Sequence, residues 1–172
     1  MLFRSGLDVT TQEQISRLIL ALVRETGTAA LSISHDLALL ATVCDDIAIM
    51  YAGEIVERGP ANRLYWASRH PYTAALVDAV PRVDDERRVV GLPGLPPAHV
   101  VSDRCGFADR CRFAQDPCLR EHPTLVTIEP GHDVRCLRTL EIGVPPSQRL
   151  HAGDVESVHE SAPILEIGRA HV

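Results

Sequence analysis

Four cysteines carry the most definite chemistry in this chain of 172 residues. Cys105, Cys111, Cys118 and Cys136 are separated by five, six and seventeen residues, inside a polar, Pro-bearing stretch with little apolar content. Such a stretch needs a clasp beyond its own core. Thiols offer three clasps. Two disulfides suit an oxidising compartment, yet the N-terminus has no apolar core of signal-peptide length. A structural zinc ion takes four thiolates, usually from paired Cys-x₂₋₄-Cys knuckles, and none is present. An iron–sulfur cluster takes four thiolates and tolerates varied spacing. Iron–sulfur, zinc and no metal all stay open on the residues alone, and the role would be structural or redox-sensing, because no catalytic group lies nearby in the sequence. Phe107 and Phe113 would shield the site from water, and Arg104, Arg110 and Arg112 would offset thiolate charge. Cys44, in an apolar run, reads as a small buried hydrophobe.

The second candidate is His35. It closes Ala29–Ser34, a short apolar run with β character, and is followed by Asp36. Open α/β sheets place their ligands at the C-terminal ends of strands. One chemistry is missing outright. All 17 basic residues are Arg and there is no Lys. A phosphate-cradling Walker A loop needs a Gly-rich turn followed by Lys, so the chain is not by itself a complete P-loop ATPase. The net charge of −6 and 4% aromatic content exclude a nucleic-acid surface, which needs basic residues and stacking rings. No apolar run of spanning length occurs. The expected location is the cytoplasm.

The elements that must position these residues follow from periodicity and turn signals. A helix opens at Leu7–Gln12, with Thr10 and Glu13 at capping-box spacing. Ile15, Leu18, Ile19, Leu22 and Val23 fall on one face, and Gly27 is a C-cap. After His35-Asp36 come a helix over Leu37–Val43, a strand over Asp46–Tyr51, a turn at Ala52-Gly53 and a strand over Glu54–Gly59. A short helix spans Ala61–Ser68. His70-Pro71-Tyr72-Thr73 opens another that runs to about Val80, with Pro71 in its first turn. Asp84–Arg88 is a charged run and Gly91–Pro97 a linker.

The stretch SISHDLALLATVCDDIAIMYAGEIVERGP (32–60) resembles the switch-histidine region and closing hairpin of ABC transporter ATPases. The resemblance implies that His35 contacts the γ-phosphate and attacking water of ATP. Leu7-Asp8-Val9 resembles the family's D-loop, which makes Asp8 the carboxylate that reaches across a dimer interface. RHPYTAALVDAVPR (69–82) resembles the hallmark of the oligopeptide/dipeptide importer ATPases, as does the Cys-x-Phe-x-x-Arg-Cys-x-Phe-Ala run from Cys105. In some members that site is implied to hold a [4Fe–4S] cluster.

The implied fold class is α/β: the distal part of a P-loop core with parallel strands, helices and a closing hairpin, plus a Cys-rich extension of loops and helices. The implied division is a core over 6–80, a linker over 81–100, the extension over 101–138 and a disordered linker over 139–165. Counting back from Asp8 places the catalytic Glu position at Leu2 and the Mg²⁺-associated Asp position at Met1, neither of which serves. Residues 1–5 and 166–172 depart from the family pattern and resemble translated sequencing adapter, so a truncated reading frame is expected. Ser161–Glu166 resembles the first strand of another such ATPase. The implied function is an ATP-binding subunit of a peptide transporter, using ATP and Mg²⁺, paired with a second ATPase subunit and docked on membrane permeases at the inner face of the membrane. The alternative is a stand-alone Cys₄ iron–sulfur or zinc module.

Overall fold

The computed structural model describes residues 9–80 and 91–142. Asp8, the charged run Asp84–Arg88 and both suspected tails lie outside the described residues.

Helix α1 (Val9–Thr26) forms where apolar residues recur at three- and four-residue intervals. Thr10 falls inside it rather than capping it. Gly27, at φ +66°, supplies the left-handed residue that ends it. The strand expected over Ala29–Ser34 does not form: the segment is irregular, with Leu31 and Ile33 about nine-tenths exposed. A strand is stabilised by ladder hydrogen bonds and cross-strand side-chain pairs, and no described strand lies beside this one. His35 is therefore an exposed residue of a connecting segment, not the end of a buried strand.

Helix α2 (Leu37–Val43) is capped by Asp36, whose carboxylate accepts the Leu39 N–H at 3.0 Å. The Ser34 hydroxyl accepts the Asp36 N–H in turn. Strands β1 (Asp46–Tyr51) and β2 (Glu54–Pro60) make a hairpin. Its two turn residues, Ala52 and Gly53, both have positive φ, 49° and 84°, as a type I′ turn requires. Along β1, Ile47, Ile49 and Tyr51 face the core, while Asp46, Ala48 and Met50 face out. Opposite Ile49–Met50 the register skips a residue, with Ile49 facing Glu57 and Met50 facing Ile55. Val56 is the extra residue of a β-bulge. The bulge breaks the in–out alternation, so consecutive Val56 and Glu57 are both buried.

Helix α3 (Ala61–Ala67) buries Ala61 and Leu64. Helix α4 (Pro71–Ala79) carries Pro71 at its start, where the missing N–H leaves no bond unmade. The Cys-bearing segment then makes two short 3₁₀ turns, Ala108–Arg110 and Asp116–Leu119. Strands β3 (Val126–Glu129) and β4 (His132–Val134) and a final turn of helix, α5 (Thr139–Ile142), follow.

Every pairing in the four-stranded sheet, ordered β1-β2-β4-β3, is antiparallel. One expectation is corrected here: parallel strands are not found among the described residues. The extension adds two short strands, β3 and β4, to its loops and 3₁₀ turns. Its strand β4 is three residues long, too short to show alternation in sequence, and it forms by pairing with β2 some seventy-five residues away. Gly59 makes that approach possible: a Cβ there would stand 3.0 Å from Leu64 Cδ1 and 3.1 Å from the Gly131 carbonyl oxygen. One core results, in which Leu37, Ile47, Ile49, Tyr51, Val56, Leu64 and Val77 pack together with Phe107 of the extension. Among the described residues no helix is long and apolar enough to cross a membrane.

Candidate functional site

The four clustered cysteines meet. Cys105 precedes the first 3₁₀ turn, Cys111 ends it, Cys118 lies inside the second, and Cys136 stands two residues past β4. Backbone bonds set them facing one another: Cys105 N–H donates to the Cys118 carbonyl at 3.1 Å, and Ala108 N–H to the Cys105 carbonyl at 3.0 Å. All four wall one small cavity together with His70, Phe107, Phe113 and Arg138. They are free thiols. Burial pushes the Cys105 and Cys111 thiols up, and Cys136 to about 11, with the neighbouring sulfurs adding to the effect. Cys105, Cys111 and Cys136 are therefore neutral thiols at neutral pH, and a thiophilic cation has to displace their protons. By donor type the set suits a thiolate-bound metal or cluster. Yet among the described residues no three His, Cys, Asp or Glu side chains are grouped closely enough to hold a metal ion.

The arginines expected to balance charge there also make contacts of their own. Arg104 makes a bidentate pair with Asp109 at 2.7 and 2.9 Å. Arg110 donates to the Pro93 carbonyl and lies over the Tyr51 ring, and Arg112 lies over Phe113. The cation at the cavity wall is Arg138, which donates to the Phe113 carbonyl. Phe107 and Phe113 do line the cavity, and Phe107 also stacks against Tyr51 and Tyr72, with ring centroids 5.2 and 5.4 Å away.

Behind the cavity lies a buried polar knot that the sequence reading missed. The Glu57 side chain is fully buried. Its Oε1 accepts the Arg69 N–H at 2.7 Å and lies 2.8 Å from His132 Nε2, while Oε2 accepts the His70 N–H at 3.0 Å. His132, also fully buried, has an Nδ1 with no partner. His70 Nδ1 accepts the Tyr72 N–H at 3.1 Å and so caps α4. The His70 ring also bonds the Arg135 backbone. Burial lowers its pKa to about 4, only partly countered by Glu57, so it is neutral at neutral pH.

Arg135 closes the knot: its N–H donates to the carbonyl of the bulge residue Val56 at 2.8 Å, and its guanidinium to the Ile55 and Pro123 carbonyls. Toward the surface, Arg58 pairs with Asp133, and Arg63 and Arg69 pair with Glu129. Thr127 and then Arg58 hold the Asp133 carboxyl below the usual range. The one sequence clue to the knot was the His70-Pro71 helix start. A glutamate in a strand signals a solvent face unless the bulge is known.

His35 does not join the cavity wall, and Asp8 lies outside the described residues.

Residues 56–118 match the sequence model of a family described as oligopeptide/dipeptide transporter, C-terminal region. The chain is 40% identical over 139 residues to the oligopeptide transport ATP-binding protein of Haemophilus influenzae, which covers 80% of this chain and 43% of that protein. It is 41% identical over 134 residues to the dipeptide transport ATP-binding protein of Escherichia coli, covering 77% of this chain and 41% of that one. With the oligopeptide transport ATP-binding protein of Mycobacterium tuberculosis it shares 40% over 138 residues, 78% of this chain and 22% of the relative. The chain thus spans about two fifths of the length of the first two. The matched region contains the bulge residue Val56, the His70-Pro71 turn and three of the four clustered cysteines, and residues 56–118 are thus recognised as an oligopeptide/dipeptide transporter C-terminal region.

Proposed function

We propose that this chain is part of an ATP-binding subunit that couples ATP binding and hydrolysis to peptide movement across a membrane. The observation that carries this reading is the similarity to three transport ATP-binding proteins over about four fifths of the chain. In the whole protein Asp8 and His35 are assigned to the nucleotide: His35 to the γ-phosphate and attacking water, Asp8 to the partner subunit's site. Mg²⁺ accompanies the ATP. The exposure of His35 and its connecting segment suits a residue that completes its site with groups from elsewhere. The partners are a second ATPase subunit and membrane permeases, and the location is peripheral, on the cytoplasmic face. The missing Lys argues that this chain alone does not turn ATP over.

Cys105, Cys111, Cys118 and Cys136 are assigned as ligands of a [4Fe–4S] cluster, with zinc as the second possibility. A bound cluster would supply a rigid clasp or an electron acceptor. The chain's own contribution is four thiols on one apolar wall and the exclusion of water by Phe107 and Phe113. The stand-alone Cys₄ module is not favoured, because Phe107 belongs to the hairpin's core and β4 pairs with β2.

Sequencing the locus upstream of this frame should reveal a Gly-rich loop with Lys, a signature motif and an Asp-Glu pair. The whole protein, reconstituted with its permeases in vesicles, should hydrolyse ATP faster when peptide is supplied. His35→Ala should lower turnover by about 100-fold while leaving ATP binding intact. Wild-type turnover in that variant would sink the assignment of His35, and indifference to peptide would sink the transport reading. Iron and zinc content after anaerobic purification decides the metal. Neither metal present would remove that assignment.

A further inference from the structure

We propose that Glu57 is a latch: a buried carboxylate that ties the His70-Pro71 turn to strand β4 and thereby limits solvent access to the cavity thiols, of which Cys118 is buried and Cys105, Cys111 and Cys136 are part-buried. It goes beyond the transport reading and does not depend on whether a metal binds.

Three observations converge on Glu57. Its carboxylate gathers two backbone N–H groups from the turn, Arg69 and His70, and one ring nitrogen from the extension, His132, all within 3.0 Å. Neither the Glu57 nor the His132 side chain is exposed at all. The residue reaches the interior only because the β2 bulge turns two successive side chains inward, and the carbonyl of that bulge is itself taken by Arg135. One carboxylate thus bridges two segments more than sixty residues apart.

Both segments form the cavity. The His70 ring is part of its wall, and Cys136 follows β4 by two residues, directly after Arg135. If Glu57 lets go, the Arg69 N–H, the His70 N–H and His132 Nε2 lose their partner in a space without water, and His132 Nδ1 already has none. Buried orphans of this kind are relieved by local opening that admits water. Parting β4 from the turn admits water to them, and because His70, Cys118 and Cys136 line one cavity the same movement opens Cys118 and further exposes Cys136. The coupling is reciprocal by linkage: a bulky group placed on Cys136 must loosen the latch as much as the open latch favours its attachment.

The test is site-resolved labelling of the full, chelator-treated chain with a small maleimide, each rate being referred to the unfolded chain. Cys44, at the end of α2 and away from the cavity wall, is the internal control. Glu57→Gln should speed labelling of Cys118 and Cys136 by about tenfold or more and leave Cys44 within about twofold, since a local opening does not reach it. His132→Phe should do the same. His132→Gln, whose amide still donates to Glu57, should stay near the unmodified rate. Equal rates in all variants would overturn the latch, and so would a parallel rise at Cys44, which marks general loosening. Should the variants not fold, the unmodified chain decides: the Arg69 and His70 amides should exchange through an opening whose equilibrium lies within about threefold of that for Cys136 labelling. A hundredfold disagreement means the two open separately. Metal content, measured apart, tests the cluster assignment without touching this one.

Discussion

The hairpin with its Cys-bearing extension and the α1–His35 segment are built from similar apolar content, yet they end up in opposite conditions. Around the hairpin, Ile47, Ile49, Tyr51, Val56, Leu64 and Phe107 are nearly inaccessible, and buried Glu57, His70 and His132 are bonded to one another or to backbone. Along α1, by contrast, Ile15, Leu18, Ile19 and Leu22 are each more than two fifths exposed, and Leu31 and Ile33 almost wholly so. Periodicity is equally good in both regions. What differs is a partner: the hairpin recruits strands and an aromatic ring from far along the chain, while α1 touches α2 yet keeps its apolar face largely open. Amphipathicity writes the demand for a partner into a sequence without saying whether the partner is at hand.

The largest expected difference between the regions is in core truncation. Phe107→Ala removes a ring that touches Tyr51, Tyr72 and His70 and walls the thiol cavity. It should destabilise the chain by about 3–5 kcal/mol in chemical denaturation. Leu18→Ala on α1 should change stability by less than about 0.5 kcal/mol. A Leu18→Ala cost comparable to that of Phe107→Ala would mean that α1 is covered after all, and the contrast would collapse.

Next comes the close approach that fastens the extension to the hairpin. Gly59→Ala places a methyl 3.1 Å from the Gly131 carbonyl oxygen and 3.0 Å from Leu64 Cδ1. Leu64 can shift a little; the backbone carbonyl of the tight turn between β3 and β4 has less room to move. The expected cost is about 1–3 kcal/mol, with loss of amide protection concentrated in β4. Uniform loss across α1 and β4 would argue that the two regions unfold as one.

A pH dependence separates them as well. The buried His70 has its pKa lowered to about 4 from 6.5. Between these values the unfolded chain takes up a proton that the folded chain refuses. The contribution is thus complete above about pH 6.5 and is lost as pH falls toward 4, by up to about 1.4 kcal/mol per pH unit. His70→Asn keeps a capping acceptor for α4 but cannot become a cation, so its denaturation midpoint should fall less steeply over that interval. Parallel curves for the two proteins would show that His70 is not buried neutral.

How far the sequence could be read tracks the same contrast. Elements whose stabilising contacts are local came through with their limits nearly intact: α2, the hairpin with its Ala52-Gly53 turn, and α4 beginning at Pro71. Of the candidate site, the convergence of Cys105, Cys111, Cys118 and Cys136 was foreseeable from their clustering. The roles of Arg104, Arg110 and Arg112 were not, because each is decided by a neighbour such as Asp109, Pro93 or Phe113 that spacing does not single out. Glu57 was hidden for a sharper reason. In a regular strand its neighbours Val56 and Arg58 would set an alternation that puts Val56 in and Glu57 out. The bulge that reverses this has no sequence mark of its own. Ala29–Ser34 failed in the other direction, since strand propensity acts only where a ladder is available.

The smallest effect is a gain, and it bears on where the well-packed region starts to form. Ala52 sits at φ +49°, a left-handed conformation that costs an ordinary L-residue roughly 1 kcal/mol and that Asn and Gly tolerate better. With Gly53 next to it at φ +84°, Ala52→Asn would create the Asn-Gly pair preferred in two-residue type I′ turns. The turn residue Ala52 is partly exposed and only packs against the edge of the core, so the change asks nothing of the interior. Stability should rise by about 0.5–1 kcal/mol. If the hairpin forms early, because it is the most local pairing in the sheet, the gain should appear mainly in the folding rate. A gain found only in the unfolding rate would place hairpin closure after the docking of β4, making the distant contacts of the extension the step on which the hairpin depends.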